Sequence, residues 1–278
     1  MRVLKVAARL LWVWLTSSAL PRRERWAYIK ALIGYAIRPK AREIVYLGAP
    51  FHFDSWKAPM VLMIFPRDII GGMLGQISTP LRSVLDIGGN IGQFARTLLY
   101  ACPDIEQLDV FEPNPTVLGY LQQNLEGYSQ VSVFPLGVGE AGERTLYYVP
   151  QASATGSLIP NRASHVGTTT SRGSEAEVSV KVVSDVAERT GRGLYDLVKV
   201  DVEGAEFEVL SHLEVRMTYL WLELSGRKFR GGTFRTSDLF DLLRERFGAF
   251  DVLYQSAWDQ TDVCDILLEF APSESPAP

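Results

Sequence analysis

The stretch Ser83-Val84-Leu85-Asp86-Ile87-Gly88-Gly89-Asn90-Ile91-Gly92-Gln93 constrains this chain more than any other. An apolar run ends in an acid, a glycine-rich turn follows, and helical patterning begins. In a three-layer α/β protein this is how a strand delivers the backbone to a ligand. Glycines let the turn approach where a Cβ would collide. The N–H groups that open the next helix receive polar ligand groups. The spacing is Asp-x-Gly-x-Asn-x-Gly. It lacks the Lys-Ser/Thr of a phosphate-cradling loop, which excludes that reading, and it departs from the Gly-x-Gly-x-x-Gly of a dinucleotide site.

From Leu81 onward strands and helices alternate. Strands are expected at Ser83–Ile87, Gln107–Phe111 and Val131–Pro135. Helices are expected at Ile91–Tyr100 and at Pro115–Leu125, the latter with proline in its first turn. This alternation calls for a parallel sheet with right-handed crossovers and ligands beyond the carboxyl ends of its strands. Glu112 follows the second strand directly, 26 residues after Asp86. A carboxylate there can accept hydrogen bonds from a ribose diol. The alternative is a helix N-terminal charge favoured by the macrodipole. Further on, Glu143–Val149 reads as an edge strand and Glu177–Val183 as another, with Ser184 capping a short helix, Asp185–Thr190. Between those strands runs a polar stretch, Gln151 to Ala176, which contains His165 and has the character of a lid or binding loop.

The third informative stretch is Asp196-Leu197-Val198-Lys199-Val200-Asp201-Val202-Glu203-Gly204-Ala205-Glu206. It reads as a buried strand carrying Lys199, with Asp201, Glu203 and Glu206 clustered where a helix through Leu213 begins. Like charges this close repel one another, and stability alone does not account for them. Leu220–Leu224 is the next strand, ending near Glu223. A basic loop follows (Arg227, Lys228, Arg230), then a helix, Asp238–Phe247, and a closing antiparallel pair, Phe250–Tyr254 and Val263–Phe270.

The net charge of −4 hides an uneven distribution. Residues 1–42 hold ten Lys/Arg against one acid, Glu24, so this segment carries +9 and the remainder −13. An acidic body disfavours nucleic acid as a partner. Residues 1–20 pattern as an amphipathic helix with Trp12 and Trp14 beside arginines, and a second basic, aromatic segment follows to Arg38. The apolar run Leu10–Leu15 is too short to span a bilayer. The arm therefore reads as a peripheral membrane contact through residues 1–40 or as a helix pair packed on the body or in a dimer, with a signal peptide ranked last. Two cysteines without a CxxC pair fit a cytoplasmic setting, peripheral at the inner membrane face if the arm binds lipid. The organisation expected is an arm at 1–42, a body at 43–270 and a disordered tail at 271–278. Within 43–82, Glu43–Leu47 and Val61–Phe65 read as strands and Arg67–Ile77 as a helix. The stretch Phe51–Trp56 reads as a surface β-turn, with a substrate mouth as the alternative.

Over roughly residues 81–224 the chain resembles the FkbM-type S-adenosylmethionine-dependent methyltransferases. The resemblance rests on Leu85-Asp86-Ile87-Gly88-Gly89-Asn90-Ile91-Gly92, on Phe111-Glu112-Pro113-Asn114, and on Lys199-Val200-Asp201-Val202-Glu203-Gly204-Ala205-Glu206 with Val209-Leu210. The family more often has Ala at the position of Gly89, a change expected to be harmless, and often Gly-Ala where this chain has Ser211-His212. The resemblance implies a class I, Rossmann-like three-layer sandwich with a seven-stranded sheet in the order 3-2-1-4-5-7-6, strand 7 antiparallel. It implies that Asp86, Gly88, Gly89, Asn90 and Gly92 hold the methionine part of S-adenosyl-L-methionine. Glu112 would hold the ribose, Asn114 would be part of the cofactor site, and the segment Gly137–Gly139, with Gly137 and Val138, would lie near adenine. Family members commonly methylate hydroxyl groups of sugars or natural products, so a small-molecule or glycan acceptor is implied.

An alcohol is a poor nucleophile until a base takes its proton. Asp201 is the first candidate for that base or for orienting the acceptor, and Glu203 the second. Lys199 would neutralise part of the acid cluster or form a structural ion pair. His212 lies about two turns into the following helix and reads as a helix-face residue. Asp201, Glu203 and Glu223 suit Mg²⁺ chemically, but no spacing rule demands a metal, and none is assigned. Two other readings compete: a non-catalytic cofactor-fold interaction module at a membrane surface, and a nicotinamide oxidoreductase, which the glycine spacing disfavours.

Overall fold

The computed structural model describes residues 26, 43–53, 72–148, 156–158, 176–225, 236–256 and 263–271. The basic arm (except Trp26, which is helical and exposed), the run Val61–Phe65, His165, the basic loop at 227–230 and the tail from 272 lie outside the described residues.

The chain opens with a hairpin, β1 (Glu43–Tyr46) and β2 (Ala49–His52). The alternating core follows as β3 (Ser83–Ile87), α1 (Gln93–Ala101), β4 (Gln107–Phe111), α2 (Pro115–Leu125) and β5 (Val131–Phe134). An added unit comprises β6 (Gly137–Val138), β7 (Gly142–Tyr148) and β8 (Ala176–Val183). The core resumes with α3 (Val186–Thr190), β9 (Leu194–Val200), α4 (Glu206–His212), β10 (Arg216–Ser225), α5 (Thr236–Phe247), β11 (Phe250–Gln255) and β12 (Val263–Phe270).

Seven strands form the central sheet in the order β11-β12-β10-β9-β3-β4-β5. Its strands run parallel except β12, which lies antiparallel between β10 and β11. Numbered along the core, this is the 3-2-1-4-5-7-6 order with strand 7 antiparallel that the family resemblance implies. Chain direction across the sheet reverses between β3 and β9, and in an open α/β sheet the crevice at such a switch point takes the ligand. The period-2 alternation of the strands divides the core between two faces. Leu85, Ile87, Val198 and Val200 enter one apolar cluster, whereas Val84, Val110, Leu197 and Trp221 enter the other, with Phe94 and Leu98 of α1.

The strand expected at 143–149 is an edge strand, β7, of a smaller sheet. It pairs antiparallel with β8 from Gly142↔Val182 to Tyr148↔Ala176, and β8 pairs parallel with β6, making a separate three-stranded sheet. Three expectations need correction. Phe51 and Phe53 do not lie on a surface turn: both are fully buried, and Phe51 is part of β2. The described end of the helix expected at Arg67–Ile77 includes a 3-10 turn, Leu74–Gln76. Glycines at 71, 72 and 75 weaken an α-helix there. Ser184 does not cap α3. Asp185 holds that position, without a side-chain bond, and the Val186 N–H bonds the Ser184 carbonyl instead.

The hairpin is held to the core by buried polar groups. The Asn124 side chain accepts from the His52 N–H (2.6 Å) and donates to the His52 carbonyl (2.8 Å) and to the Ile91 carbonyl (2.7 Å). Arg96 donates to the carbonyls of Asn124 (2.7 Å) and Tyr46 (3.4 Å), and the Tyr46 hydroxyl meets Thr97 at 2.6 Å. Asn124 is fully buried, so removing its amide strands partners away from water. Asn124→Ala is expected to destabilise the protein by about 2–4 kcal/mol, read as a lower urea midpoint at unchanged slope. A loss under about 0.5 kcal/mol would show that water replaces the amide.

Candidate functional site

The glycine turn leaves β3 at the switch point. Its Gly88 and Gly89 N–H groups both bond the Phe111 carbonyl of β4, at 2.9 and 3.1 Å. Gly88 has φ +89°, and a Cβ there would lie 1.9 Å from the Asp201 carbonyl oxygen, so the turn and the loop after β9 are in backbone contact. A Cβ on Gly89 would meet Val110 Cγ1 at 2.2 Å. Glycine in place of the family's alanine is therefore matched to Val110 rather than neutral. Asn90 adopts φ +50°, a left-handed conformation that asparagine tolerates. Gly92, at φ +87°, opens α1.

Asp86 and Lys199 are direct register partners on the adjacent strands β3 and β9, both facing α1. Lys199 Nζ donates to Asp86 Oδ1 (3.1 Å) and to the Gly88 carbonyl (3.0 Å), lies 3.5 Å from Asp201 Oδ2, and sits 5.3 Å from the centre of the Phe94 ring. Burial opposes its charge, but the carboxylates of Asp86 and Asp201 prevail and its pKa is raised. An ammonium so engaged is neither base nor nucleophile; Lys199 ties the glycine turn to the acid loop. Burial pushes the Asp86 carboxyl upward against the pull of Lys199.

Asp86 Oδ2 and Asn90 Oδ1 are buried acceptors without a hydrogen-bond partner among the described residues. Glu112 is engaged on both oxygens: Oε2 accepts from the Asn90 N–H (2.7 Å) and Oε1 from the Asn114 N–H (2.8 Å). Burial raises its pKa to about 7, with those two N–H groups pulling the other way. Asn114 caps α2, its Oδ1 accepting from the Thr116 N–H at 3.0 Å, so its carbonyl oxygen is committed to the helix. Gly137 and Val138 are buried in β6 against Val182 and Val183, and a Cβ on Gly137 would stand 3.7 Å from Pro113.

Across the crevice, the Asp201 N–H bonds the Ile87 carbonyl at 3.1 Å, which fixes the start of the acid loop to the end of β3. Glu203 has φ +53°, and the Gly204 N–H donates to the Glu206 carboxylate at 2.9 Å. Glu206 is thereby an internal cap, fully buried. Carboxylate oxygens of Asp201, Glu203 and Glu223 all lie within 4.8 Å of one another. Asp201 is the acid of this group that abuts Lys199, and its side chain remains 23% exposed. His212 stands apart: its Nδ1 meets the Glu208 carbonyl one turn back at 2.9 Å. One participant that the sequence does not signal is Ser157, whose hydroxyl donates to the Glu203 carbonyl at 2.9 Å from within the polar stretch.

The Methyltransferase FkbM domain family matches residues 86–249, from the acid of the glycine turn to the end of α5. The chain belongs to this family. It is 31% identical over 156 residues to methyltransferase sdnD of Sordaria araneosa, covering 47% of this chain and 60% of that protein. It is 30% identical over 145 residues to methyltransferase 1 of Beauveria bassiana, covering 47% and 58% respectively. The chain thus spans less than two thirds of the length of these curated relatives. Among solved structures, methyltransferase FkbM from Methylobacillus flagellatus aligns over 69% of this chain and 45% of that one, at 18% identity and a TM-score of 0.44.

Lys199→Met would leave the Asp86 carboxylate buried without its counter-charge. The expected loss is about 3–5 kcal/mol at pH 7. The Asp86 carboxyl, already raised by burial, then rises further, so the variant regains part of its stability as pH falls and the group takes up a proton. Urea unfolding at pH 5 and pH 7 checks this; equal losses at both would place the cost elsewhere.

Proposed function

We propose that this FkbM-family methyltransferase uses S-adenosyl-L-methionine to methylate a hydroxyl group of a sugar, glycolipid or natural product. The observation that carries the reading is the pair of buried, partnerless acceptors in the glycine turn, Asp86 Oδ2 and Asn90 Oδ1, facing an acid loop across the switch-point crevice. Acceptors of this kind suit a ligand that brings N–H donors, as an α-amino acid moiety does. Gly88, Gly89 and Gly92 would carry the backbone past the methionine part, and Glu112 would take the ribose hydroxyls. Asn114, Gly137 and Val138 would bound the adenosine. When bound, the cofactor would supply an electrophilic methyl on sulfonium sulfur and keep the electrons of the carbon–sulfur bond, and the hydroxyl proton of the acceptor would pass to a carboxylate of this chain. Asp201, part-exposed at the carboxyl end of β9, is assigned to take that proton, and Glu203 to orient the acceptor.

Calorimetric titration with S-adenosylhomocysteine tests the cofactor assignment. Hydroxyl groups donate to the ionised form of Glu112, whose pKa is about 7. Affinity is therefore expected to be flat above pH 8 and to weaken as pH falls through 7, by up to about tenfold per pH unit. Glu112→Gln should weaken binding and flatten that profile. No binding by folded protein would sink the reading, and a pH-independent affinity would remove Glu112 from the ribose.

For residues 1–40 we infer contact with an anionic membrane surface, placing the enzyme at the cytoplasmic face; the support is the charge of +9 in residues 1–42. Among the described residues no helix is long and apolar enough to cross a membrane. Deleting residues 1–40 should abolish co-sedimentation with phosphatidylserine-containing vesicles while leaving the melting temperature of the body unchanged. Retained sedimentation would rule the arm out as the contact.

A further inference from the structure

The three-stranded sheet of β6, β7 and β8 does not belong to the alternating core, yet it touches both sides of the crevice. On the cofactor side, Gly137 abuts Pro113, and a Cβ on Gly156 would lie 3.6 Å from Asn114 Nδ2. On the acid side, Arg144 of β7 pairs with the Glu208 carboxylate of α4 at 3.2 Å. Ser157 completes this attachment. Its backbone exchanges two 2.8 Å hydrogen bonds with Tyr147, adding a bridge to the β7 edge opposite β8. Its hydroxyl then crosses to the Glu203 carbonyl at 2.9 Å. The residue is 1% exposed, so water does not compete for that bond.

The bond falls on a strained residue. Glu203 has φ +53°, a left-handed conformation that a glutamate side chain disfavours. That conformation turns the chain so that the Glu203 carboxylate converges with those of Asp201 and Glu223. In an ordinary right-handed conformation the side chain would leave the loop in another direction. The strain persists only where surrounding structure over-determines it, and a buried hydrogen bond is comparable in size to the cost of the strained residue.

We propose that Ser157 is a positioning residue for the acceptor carboxylates: its hydroxyl holds the Glu203 backbone in the left-handed conformation and so sets the geometry of the acid loop. The proposal rests on the methyltransferase reading for its functional meaning, but its physical content is independent of the acceptor.

Hydrogen–deuterium exchange of the full chain tests it, read on the peptide covering 201–206, which contains the Gly204 N–H bonded to Glu206. Ser157→Ala is expected to accelerate exchange there by about tenfold, with no change in the peptide covering β3. Ser157→Thr, which keeps the hydroxyl, should return exchange to within about twofold of the wild type. Acceleration below about twofold in the alanine variant, equal acceleration in β3, or failure of threonine to restore protection would each overturn the proposal. Binding of S-adenosylhomocysteine to the wild type is read separately. If it is absent, the cofactor assignment fails while the exchange result still decides the role of Ser157.

Discussion

The site depends on one buried ion pair. Asp86 and Lys199 stand side by side on β3 and β9, the two strands that flank the switch point, at a level of the sheet where their neighbours are Val110 and Trp221. Two charges in that row carry a heavy desolvation cost, and apolar residues of similar volume would often be at least as stable. What the pair supplies is geometry. The Lys199 ammonium bonds Asp86 at the end of one strand and the carbonyl of Gly88 in the turn beyond it, with Asp201 at the end of the other strand close by. The glycine turn and the acid loop are therefore registered to each other by one cation, and the bond from the Asp201 N–H to the Ile87 carbonyl fixes the same spacing through the backbone. A methyl donor and an acceptor held by these two loops would be positioned without either loop moving, and positioning is the larger part of what such a reaction asks of a protein.

The close approach explains Gly88 and Gly89 in different ways. Gly88 faces the Asp201 carbonyl and leaves no room for any side chain. Gly89 is needed because a valine occupies position 110; a smaller residue on β4 would relieve that contact. The first requirement belongs to the fold and the second to this chain. A sequence motif alone does not separate them, since the compensating residue lies on another strand.

Elements with a strong local signal are legible in the sequence. The helix Pro115–Leu125 is marked by its proline and by Asn114 as cap, and the strands at 83–87 and 107–111 by apolar runs ending at Gly88 and Glu112. The sheet order follows from the alternation together with the family resemblance. The unread features all depend on distant partners. Phe51 and Phe53 sit in a stretch with the polarity of a turn, and they are buried because Asn124 and Arg96 dock the hairpin onto α1 and α2. The strand at 142–148 has edge-like composition, but its placement in a separate sheet depends on its pairing with β8, beyond the polar stretch that separates them. Ser157 is one serine in a polar run, and its burial, its bridge to Tyr147 and its bond to Glu203 all depend on residues distant in sequence or on the folded chain.

Glu112 shows how one carboxylate can serve the fold and a ligand together. Each oxygen accepts one backbone N–H, from Asn90 and from Asn114, and each keeps a further lone pair. The first set of bonds anchors the glycine turn to the start of α2, which organises the site before anything binds. The second set is available to hydroxyl donors, and with burial lifting the pKa to about 7 those lone pairs are strongest as acceptors only when the group is ionised. Asp86 Oδ2 and Asn90 Oδ1 follow the same logic, since a buried acceptor without a donor costs about 1–3 kcal/mol. A ligand with matching donors would recover that cost on binding. An alternating sheet could close more stably with those acceptors replaced by apolar groups. Their position where the strand order reverses is what the proposed binding of a donor-rich ligand would account for.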